Sequence, residues 1–299
     1  MAVVDIEDLY DEFSYGEKTP YALKAFLARA RPRYVLLVGN ATYDPRNYYG
    51  LGDFDFVPTK LVDTAMIETA SDDWFVDFNG DGLAEIPIGR IPATTLQEAS
   101  QAMAKLVSYE QGSPSTNALY VADADDATDD FEGAISHMAS LTSLYPEVLF
   151  YSKLGSQTAP TLLADLTRGA GLVTYLGHGA VELWDGDVLD TTSASALTNT
   201  TFPFFIALTC LNGYFIIPTV DSLAVTLTNG TPGGAVGMIA SSSLTEFAPQ
   251  EQFGTALLNN LFTGATVGEA LMEAKRAISD PDVQKSYLLF GDPSMRVRR

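Results

Sequence analysis

A histidine and a cysteine follow two predicted strands at equivalent places in this sequence. Cys210 is the only cysteine of the 299 residues, and it comes just after the apolar run Phe204–Leu208. His178 stands between two glycines, shortly after the apolar run Gly171–Tyr175. A thiol beside an imidazole can lose its proton to the ring, and the thiolate that remains is a nucleophile. The two residues therefore suggest covalent catalysis, provided that the fold brings them together.

The pattern of elements around this pair predicts how the fold would do so. Amphipathic helices over Pro20–Ala30 and Thr95–Glu110 alternate with short apolar runs that are typical of buried parallel strands. This alternation predicts an α/β fold with two α/β subdomains, whose mostly parallel sheets are flanked by helices. The segment between His178 and Cys210 has room for a loop, a helix and a strand, and a right-handed crossover returns such a chain beside its start. We therefore expect both residues at the carboxyl edge of neighbouring strands, where open sheets bind ligands.

Two segments without regular patterning divide the chain. The short polar stretch Gly112–Asn117 is the best candidate for a linker, and it predicts an N-terminal subdomain over residues 1–115 and a catalytic subdomain over residues 116–299. The longer stretch Ala41–Ser71 is rich in glycine, proline and aspartate. Its length predicts a functional or ion-ordered loop.

An acidic loop in the N-terminal half has the spacing of a calcium site. Oxygen donors stand at loop positions 1, 3, 5, 7 and 9, and they are Asp77, Asn79, Asp81, the carbonyl of Leu83, and Glu85. Gly82 permits the sharp turn at position 6, whereas Ile88 replaces the usual glutamate at position 12. We expect a structural Ca²⁺ ion here, with another segment completing its ligands. The alternative is an acidic surface turn that binds nothing.

Composition excludes several classes of function. The chain carries 17 basic and 38 acidic residues, a net charge of −21, so nucleic acid is not an expected partner. One cysteine excludes an internal disulfide framework, and the apolar stretch Phe202–Pro218 is too short and interrupted to cross a bilayer. The start, Met1–Gly16, lacks the layout of a signal peptide, and we expect a piece excised from a secreted precursor. The second histidine, His137, falls within a predicted helix and is expected to be an ordinary helix residue.

Several short motifs resemble those of the gingipain family of cysteine peptidases, the C25 type of the caspase-like clan. The order of histidine and then cysteine, each at a strand end, is the arrangement of that clan. The matching segments occur in order over nearly the whole chain, and they are Asp11–Gly16, Tyr34–Gly39, Ser71–Asp73, Asp77–Glu85, Ile88–Arg90, Tyr175–Gly179, Cys210–Gly213, Asp221–Ala224 and Phe290–Pro293.

This resemblance implies a mechanism and a setting. It implies a caspase-like catalytic subdomain in which Cys210 is the nucleophile and His178 is the general acid and base. The backbone N–H groups of Gly179 and Cys210 would form the oxyanion hole. Protein or peptide substrates, structural Ca²⁺, a secreted or cell-surface location and further domains of a larger precursor are also implied.

Substrate preference depends on one acidic residue. Arginine-specific members of the family resemble this chain at a helix start, which places Asp130 in the role of the specificity-pocket acid and implies cleavage after Arg or Lys. The alternative is that Asp129 or Asp130 only caps the helix. Asp123 or Asp125, after the strand Ala118–Ala122, could orient His178.

Two other functions stay open at this stage. A sortase-like transpeptidase of the same family would use the same dyad and pass the acyl group to an amine instead of water. A non-catalytic, calcium-dependent binding module would leave Cys210 unreactive.

Overall fold

The helices and strands are those of an α/β protein. The computed structural model describes residues 2–113, 115, 117–142, 147–152, 157–230 and 232–298, with the side chains of 147–152 excepted. Helices cover Ile6–Ser14 (α1), Pro20–Ala30 (α2), Leu96–Gln111 (α3), Phe131–Ser140 (α4), Thr158–Arg168 (α5), Thr191–Ser195 (α6), Leu223–Val225 (α7), Phe247–Leu261 (α8), Val267–Arg276 (α9) and Pro281–Ser286 (α10). Short 3₁₀ turns cover Asp73–Phe75 and Asp185–Asp187, and a π-helical turn covers Thr226–Gly230.

The strands form one large sheet and two small hairpins. They are Val35–Val38 (β1), Lys60–Asp63 (β2), Glu68–Ser71 (β3), Ile88–Ile91 (β4), Asn117–Ala122 (β5), Glu147–Ser152 (β6), Leu172–Leu176 (β7), Gly179–Ala180 (β8), Leu183–Trp184 (β9), Phe204–Leu208 (β10), Gly237–Ser241 (β11) and Tyr287–Phe290 (β12). Eight of them lie in the order β1-β4-β12-β11-β10-β7-β5-β6, whereas β2 pairs with β3 and β8 with β9.

The large sheet consists of two parallel blocks that run in opposite directions. Strands β6, β5, β7, β10 and β11 are parallel to one another, and so are β1, β4 and β12. The blocks meet at β11 and β12, which are antiparallel, with Ser241 opposite Tyr287. The amino end of β12 therefore lies at the same edge as the carboxyl ends of β5, β7, β10 and β11.

Helices cover both faces of this sheet. Alternate residues of β10 belong to different apolar clusters, because successive side chains of a strand point to opposite faces. Phe204, Ile206 and Leu208 pack with residues of α3, α4, α8 and α9, whereas Phe205 and Ala207 pack with residues of α5 and α6. A third cluster joins α1 and α2 to β1. The prediction of a mostly parallel sheet flanked by helices is confirmed.

The two halves of the chain share the large sheet. Strand β12 belongs to the C-terminal half and pairs with β4 of the N-terminal half. A buried ion pair, with Lys275 Nζ at 2.6 Å from Asp73 Oδ2, also joins the halves. The predicted boundary between residues 115 and 116 stays a prediction, and residue 116 lies outside the described residues.

The long stretch Ala41–Ser71, predicted to lack regular patterning, contains the hairpin β2–β3. Thr69 Oγ1 donates to the carbonyl of Ser242, and Ser242 Oγ donates to the carbonyl of Ala70 at 2.9 Å. The hairpin thereby packs on the segment that follows β11. Among the described helices, none combines the length and apolar character that a membrane crossing requires.

Candidate active site

His178 and Cys210 lie side by side in register at one edge of the sheet. Strands β7 and β10 are parallel neighbours, and their last paired residues are Leu176 and Leu208. His178 and Cys210 each follow two residues later. The amide of Gly177 donates to the carbonyl of Leu208 at 3.3 Å, so the pairing continues past the strand ends. The expected placement on neighbouring strands is confirmed.

The backbone of His178 is fixed by two buried side chains. Its N–H donates to Asp123 Oδ2 at 3.0 Å, and its carbonyl accepts a bond of 2.6 Å from the Tyr175 hydroxyl. Asp123 and Tyr175 are each no more than 1% exposed. Because the N–H and the carbonyl of His178 are both held by buried side chains, the ring projects from a rigid backbone.

The glycines beside His178 are required for space. A Cβ atom at Gly177 would lie 2.3 Å from the Cβ of Asp123, and one at Gly179 would lie 2.5 Å from Thr209 Oγ1. Both distances are shorter than any real contact of a Cβ atom. A larger residue at either position would push the strand end away from its neighbour.

The ring of His178 is largely exposed and faces the acidic residues between β5 and α4. Its Nε2 atom lies 3.4 Å from Asp126 Oδ2, and 60% of its side-chain surface is accessible. One edge packs on Phe131 of α4, with ring centroids 5.2 Å apart. Asp129 is the third member of this group, since ligand atoms of Asp126, Asp129 and His178 lie within 4.8 Å of one another.

Asp126 carries a negative charge that its own loop maintains. Hydrogen bonds from the amide and hydroxyl of Thr128 and from the amide of Asp129 hold the pKa of Asp126 well below its usual range. The charged Asp126 carboxylate is therefore the acid that lies beside the His178 ring. Asp123, by contrast, contacts the His178 backbone, and Asp125 accepts from the amide of Glu132 at 2.9 Å, so neither is the acid beside the ring.

Cys210 is partly buried and is bonded to the start of α8. Its Sγ donates to the carbonyl of Thr245 at 3.6 Å. Burial raises the pKa of the Cys210 thiol, and Glu246 adds to the increase, while the hydrogen bonds with Thr245 oppose it. The sulfur therefore rests as a thiol and needs a base to become a nucleophile.

The turn after Cys210 is locked to the loop after His178. Leu211 adopts a left-handed backbone conformation with φ of 62°, which is uncommon for a residue with a side chain. Asn212 is fully buried; its Oδ1 accepts from Trp184 Nε1 at 2.8 Å and its Nδ2 donates to the carbonyl of Ala180 at 2.6 Å. One amide side chain thus fixes the loop after His178 and the turn after Cys210 relative to each other.

Aromatic rings connect the helices that flank the site. Phe131, at the start of α4, packs edge-on against Phe247, at the start of α8, with centroids 5.0 Å apart. Phe131 also contacts His178, and Thr245 contacts Cys210. The two helix starts therefore lie beside the two predicted catalytic residues.

Asp130 caps α4 in this structure. Its Oδ1 accepts from the amide of Gly133 at 2.7 Å, and the side chain is exposed. It directly precedes Phe131, which touches His178. Its position is thus next to the site, and its carboxylate is already engaged at the helix end.

The predicted calcium loop, Asp77–Glu85, brings three carboxylates together. Ligand oxygens of Asp77, Asp81 and Glu85 lie within 4.8 Å of one another. Asp77 is buried and accepts from the amides of Gly80, Asp81 and Gly82, whereas Asn79 Nδ2 donates to Glu85 Oε1 at 2.6 Å. The amide of Leu83 donates to Asp81 Oδ1 at 3.0 Å. Hard cations prefer a donor set of this chemistry.

Three residues of the site were not predicted from the sequence. Asp126 is one of several acids after β5, and nothing in the spacing favoured it over Asp123 or Asp125. Asn212 falls within Cys210–Gly213, one of the segments that resemble the gingipain family, and this was the one sequence signal of its importance. Thr245 is far from His178 and Cys210 along the chain, and only the end of β11 brings it to Cys210.

Comparisons with known proteins agree with this geometry. The sequence model of peptidase family C25 matches residues 1–298. The Arg-specific cysteine proteinase gingipain R has a similar structure, with a TM-score of 0.81 and 22% identity over 98% of this chain and 75% of that one. A chain of the complex of Porphyromonas gingivalis RgpB pro- and mature domains matches with a TM-score of 0.79 and 22% identity, over 98% and 77% of the two chains.

A structure described only as a protease has a TM-score of 0.77 and 18% identity, over 94% of this chain and 70% of that chain. No protein with a curated description matches the sequence. Because the family match spans almost the whole chain, the protein belongs to peptidase family C25 and is a cysteine-type peptidase.

Proposed function

We propose that this protein is an endopeptidase that uses Cys210 as nucleophile and His178 as general acid and base. The thiol proton passes to the imidazole, and the thiolate attacks the scissile carbonyl carbon, whose oxygen becomes an oxyanion. The backbone N–H groups of Gly179 and Cys210 are proposed to hold that oxyanion. The amine leaves with the proton from His178. Water then gives a proton to the same ring and cleaves the thioester, which restores the thiol.

The observation that supports this proposal most is the register of the two strands. Both residues stand two positions beyond Leu176 and Leu208, which face each other across β7 and β10. A parallel sheet has its neighbouring strands about 4.8 Å apart, so side chains at equal offsets are within reach of each other. Membership of a peptidase family implies protein or peptide substrates.

The proposed reaction is tested by comparing how the parent protein and Cys210→Ala cleave a peptide library. The parent should cleave internal peptide bonds, and a thioester with Cys210 should be trapped at low pH. Equal turnover by both proteins would remove Cys210 from the mechanism. Adding an amine acceptor to the same assay separates hydrolysis, which gives free acid, from transpeptidation, which gives a conjugate.

A basic residue before the cleaved bond is the proposed preference, with Asp130 as the recognising acid. The support is its place beside Phe131, which contacts His178, and the acidic surface of the whole chain. Asp130→Asn isolates the charge, because asparagine caps helices as well as aspartate does. We expect kcat/KM for Arg and Lys peptides to fall at least tenfold, with no change for neutral peptides. Asp280→Asn, at the cap of α10, is the matched control.

A structural Ca²⁺ ion is proposed in the loop Asp77–Glu85. Asp77, Asp81 and Glu85 would supply carboxylate oxygens, Asn79 its amide oxygen and Leu83 its carbonyl, and the ion would hold the loop against thermal opening. Ca²⁺ should raise the Tm of the parent protein and not that of Asp81→Ala. A parent Tm that does not respond to Ca²⁺ contradicts the proposal.

Secretion or display at the cell surface is proposed from family membership. Immunodetection of the protein in the medium, surface and cytoplasmic fractions of its source cell tests this. Recovery in the cytoplasmic fraction alone would contradict it.

A further inference from the structure

A buried hydrogen-bond network joins Gln250 to Thr245, whose carbonyl accepts a hydrogen bond from Cys210. Gln250, which is 3% exposed, reaches back from α8 to Thr245. Its Nε2 donates to the Thr245 carbonyl at 3.0 Å and to Thr245 Oγ1 at 2.5 Å. A carbonyl can only accept, so the nitrogen of the Gln250 amide must face Thr245.

This arrangement decides the direction of the Thr245 hydroxyl. Its oxygen accepts from Gln250, so its proton is available to a different neighbour. Cys210 is one such neighbour, because its Sγ donates to the Thr245 carbonyl at 3.6 Å and the Thr245 side chain lowers the pKa of the thiol.

The hydroxyl of Tyr287 lies near Cys210 and Thr245 and could donate a further hydrogen bond there. Tyr287 is fully buried, and among the described residues its hydroxyl makes no hydrogen bond of normal geometry. Cys210 contributes to the increase in the pKa of Tyr287, whereas the Thr245 side chain opposes it, so all three groups share one pocket. A buried hydroxyl without a partner costs free energy, and a negative charge nearby would recover it.

The Thr245 carbonyl is matched to the sulfur only in its thiol state. In the thiol state the sulfur has a proton to donate to the Thr245 carbonyl, whereas a thiolate would be repelled by that oxygen. We propose that Thr245 is a positioning residue for the nucleophile: its hydroxyl, held by Gln250, donates a hydrogen bond to the Cys210 sulfur after the sulfur has given its proton to His178. This inference rests on the proposed role of Cys210 as nucleophile.

Alkylation of Cys210 by iodoacetamide tests the proposal without any substrate. Because the chain has one cysteine, the intact mass reports its alkylation directly. The rate is measured across a pH series for the parent, Thr245→Val and Thr245→Ser. Glu246 and Tyr287, which act electrostatically with the sulfur, and His178, on the neighbouring strand, stay unchanged in each protein.

We expect the rate for Thr245→Val to be about tenfold lower at neutral pH, because a hydrogen bond to a charged group shifts the titration midpoint by about one unit. The rates should converge at high pH, where every thiol is ionised; a purely steric change would lower the rate at all pH values. Thr245→Ser, which keeps the hydroxyl, should keep the parent midpoint. So should Thr263→Val, which removes an exposed hydroxyl just beyond α8.

An unchanged midpoint in Thr245→Val overturns the positioning role, even if the protein cleaves peptides. A shifted midpoint supports it, even if no peptide is cleaved, in which case only the proposed function fails. If the valine variant does not melt cooperatively, Thr245→Ala and Thr245→Ser make the same comparison, since they differ by the hydroxyl alone.

Discussion

Arg90 uses every hydrogen-bond donor that it has, and its replacement should be unusually costly. Its Nε and Nη2 atoms form a fork on the Asp72 carboxylate at 2.7 and 2.8 Å. The other three N–H groups donate to the carbonyls of Gly39, Val57 and Pro58 at 2.7 to 2.9 Å. Arg90 is 1% exposed, so solvent cannot replace any of these bonds.

The size of the loss follows from what each substitution leaves behind. In Arg90→Met, the buried Asp72 carboxylate loses its countercharge, which costs about 3–5 kcal/mol of unfolding free energy. Three carbonyls also lose a donor. Arg90→Lys keeps the charge but has three donors for five acceptors, so we expect a loss of about 2–3 kcal/mol. Domains of ordinary stability unfold with about 5–15 kcal/mol, so both variants should melt early.

Urea unfolding followed by circular dichroism measures these losses. The control is Lys18→Met, which breaks an exposed ion pair with Glu7 and should cost less than about 1 kcal/mol. Asp72→Leu combined with Arg90→Met should cost less than the sum of the single changes, because no lone charge remains. A loss below about 1 kcal/mol for Arg90→Lys would contradict this expectation, since it would show that the fork geometry contributes nothing.

Three further outcomes are expected. Burial lowers the pKa of Lys105 from an ordinary 10.5 to about 7, so between these pH values the unfolded chain binds a proton that the folded chain does not, and the free energy of unfolding should rise with pH. Urea unfolding should show no such rise for Lys105→Met, which should be about 1–3 kcal/mol more stable than the parent at pH 7. Asn212→Leu breaks the bridge between the two catalytic loops, so kcat/KM should fall at least tenfold and urea unfolding should show a loss of about 2–4 kcal/mol. Asp126→Asn keeps the hydrogen bonds of its loop and removes the carboxylate charge beside the His178 ring, so kcat/KM should fall while the Tm stays unchanged.

Much of the fold could be predicted because the signals of its helices and strands are local. Helical spacing located Pro20–Ala30, which the structure reproduces as α2, and the apolar run Phe204–Leu208 is β10. The positions of His178 and Cys210 followed from handedness, because a right-handed crossover leaves few places for the next strand.

Other features depended on residues that are distant along the chain. Strand β12 was not predicted, since Tyr287–Phe290 is a four-residue apolar run directly after a helix and has no period of its own. Only its antiparallel pairing with β11 reverses the strand direction in the sheet and brings Tyr287 to the edge that carries Cys210.

Residue types and their spacing specify the chemical groups of this chain: one thiol, one imidazole between two glycines, and an acidic loop with the spacing of a cation site. The tertiary structure decided which groups surround them. It placed Asp126 beside the ring and Thr245 beside the sulfur, and it engaged Asp130 as a helix cap. The physical reason is that strand register and crossover handedness follow from local geometry. The neighbours of a side chain at a sheet edge, in contrast, come from several loops, whose paths are set by packing over the whole fold.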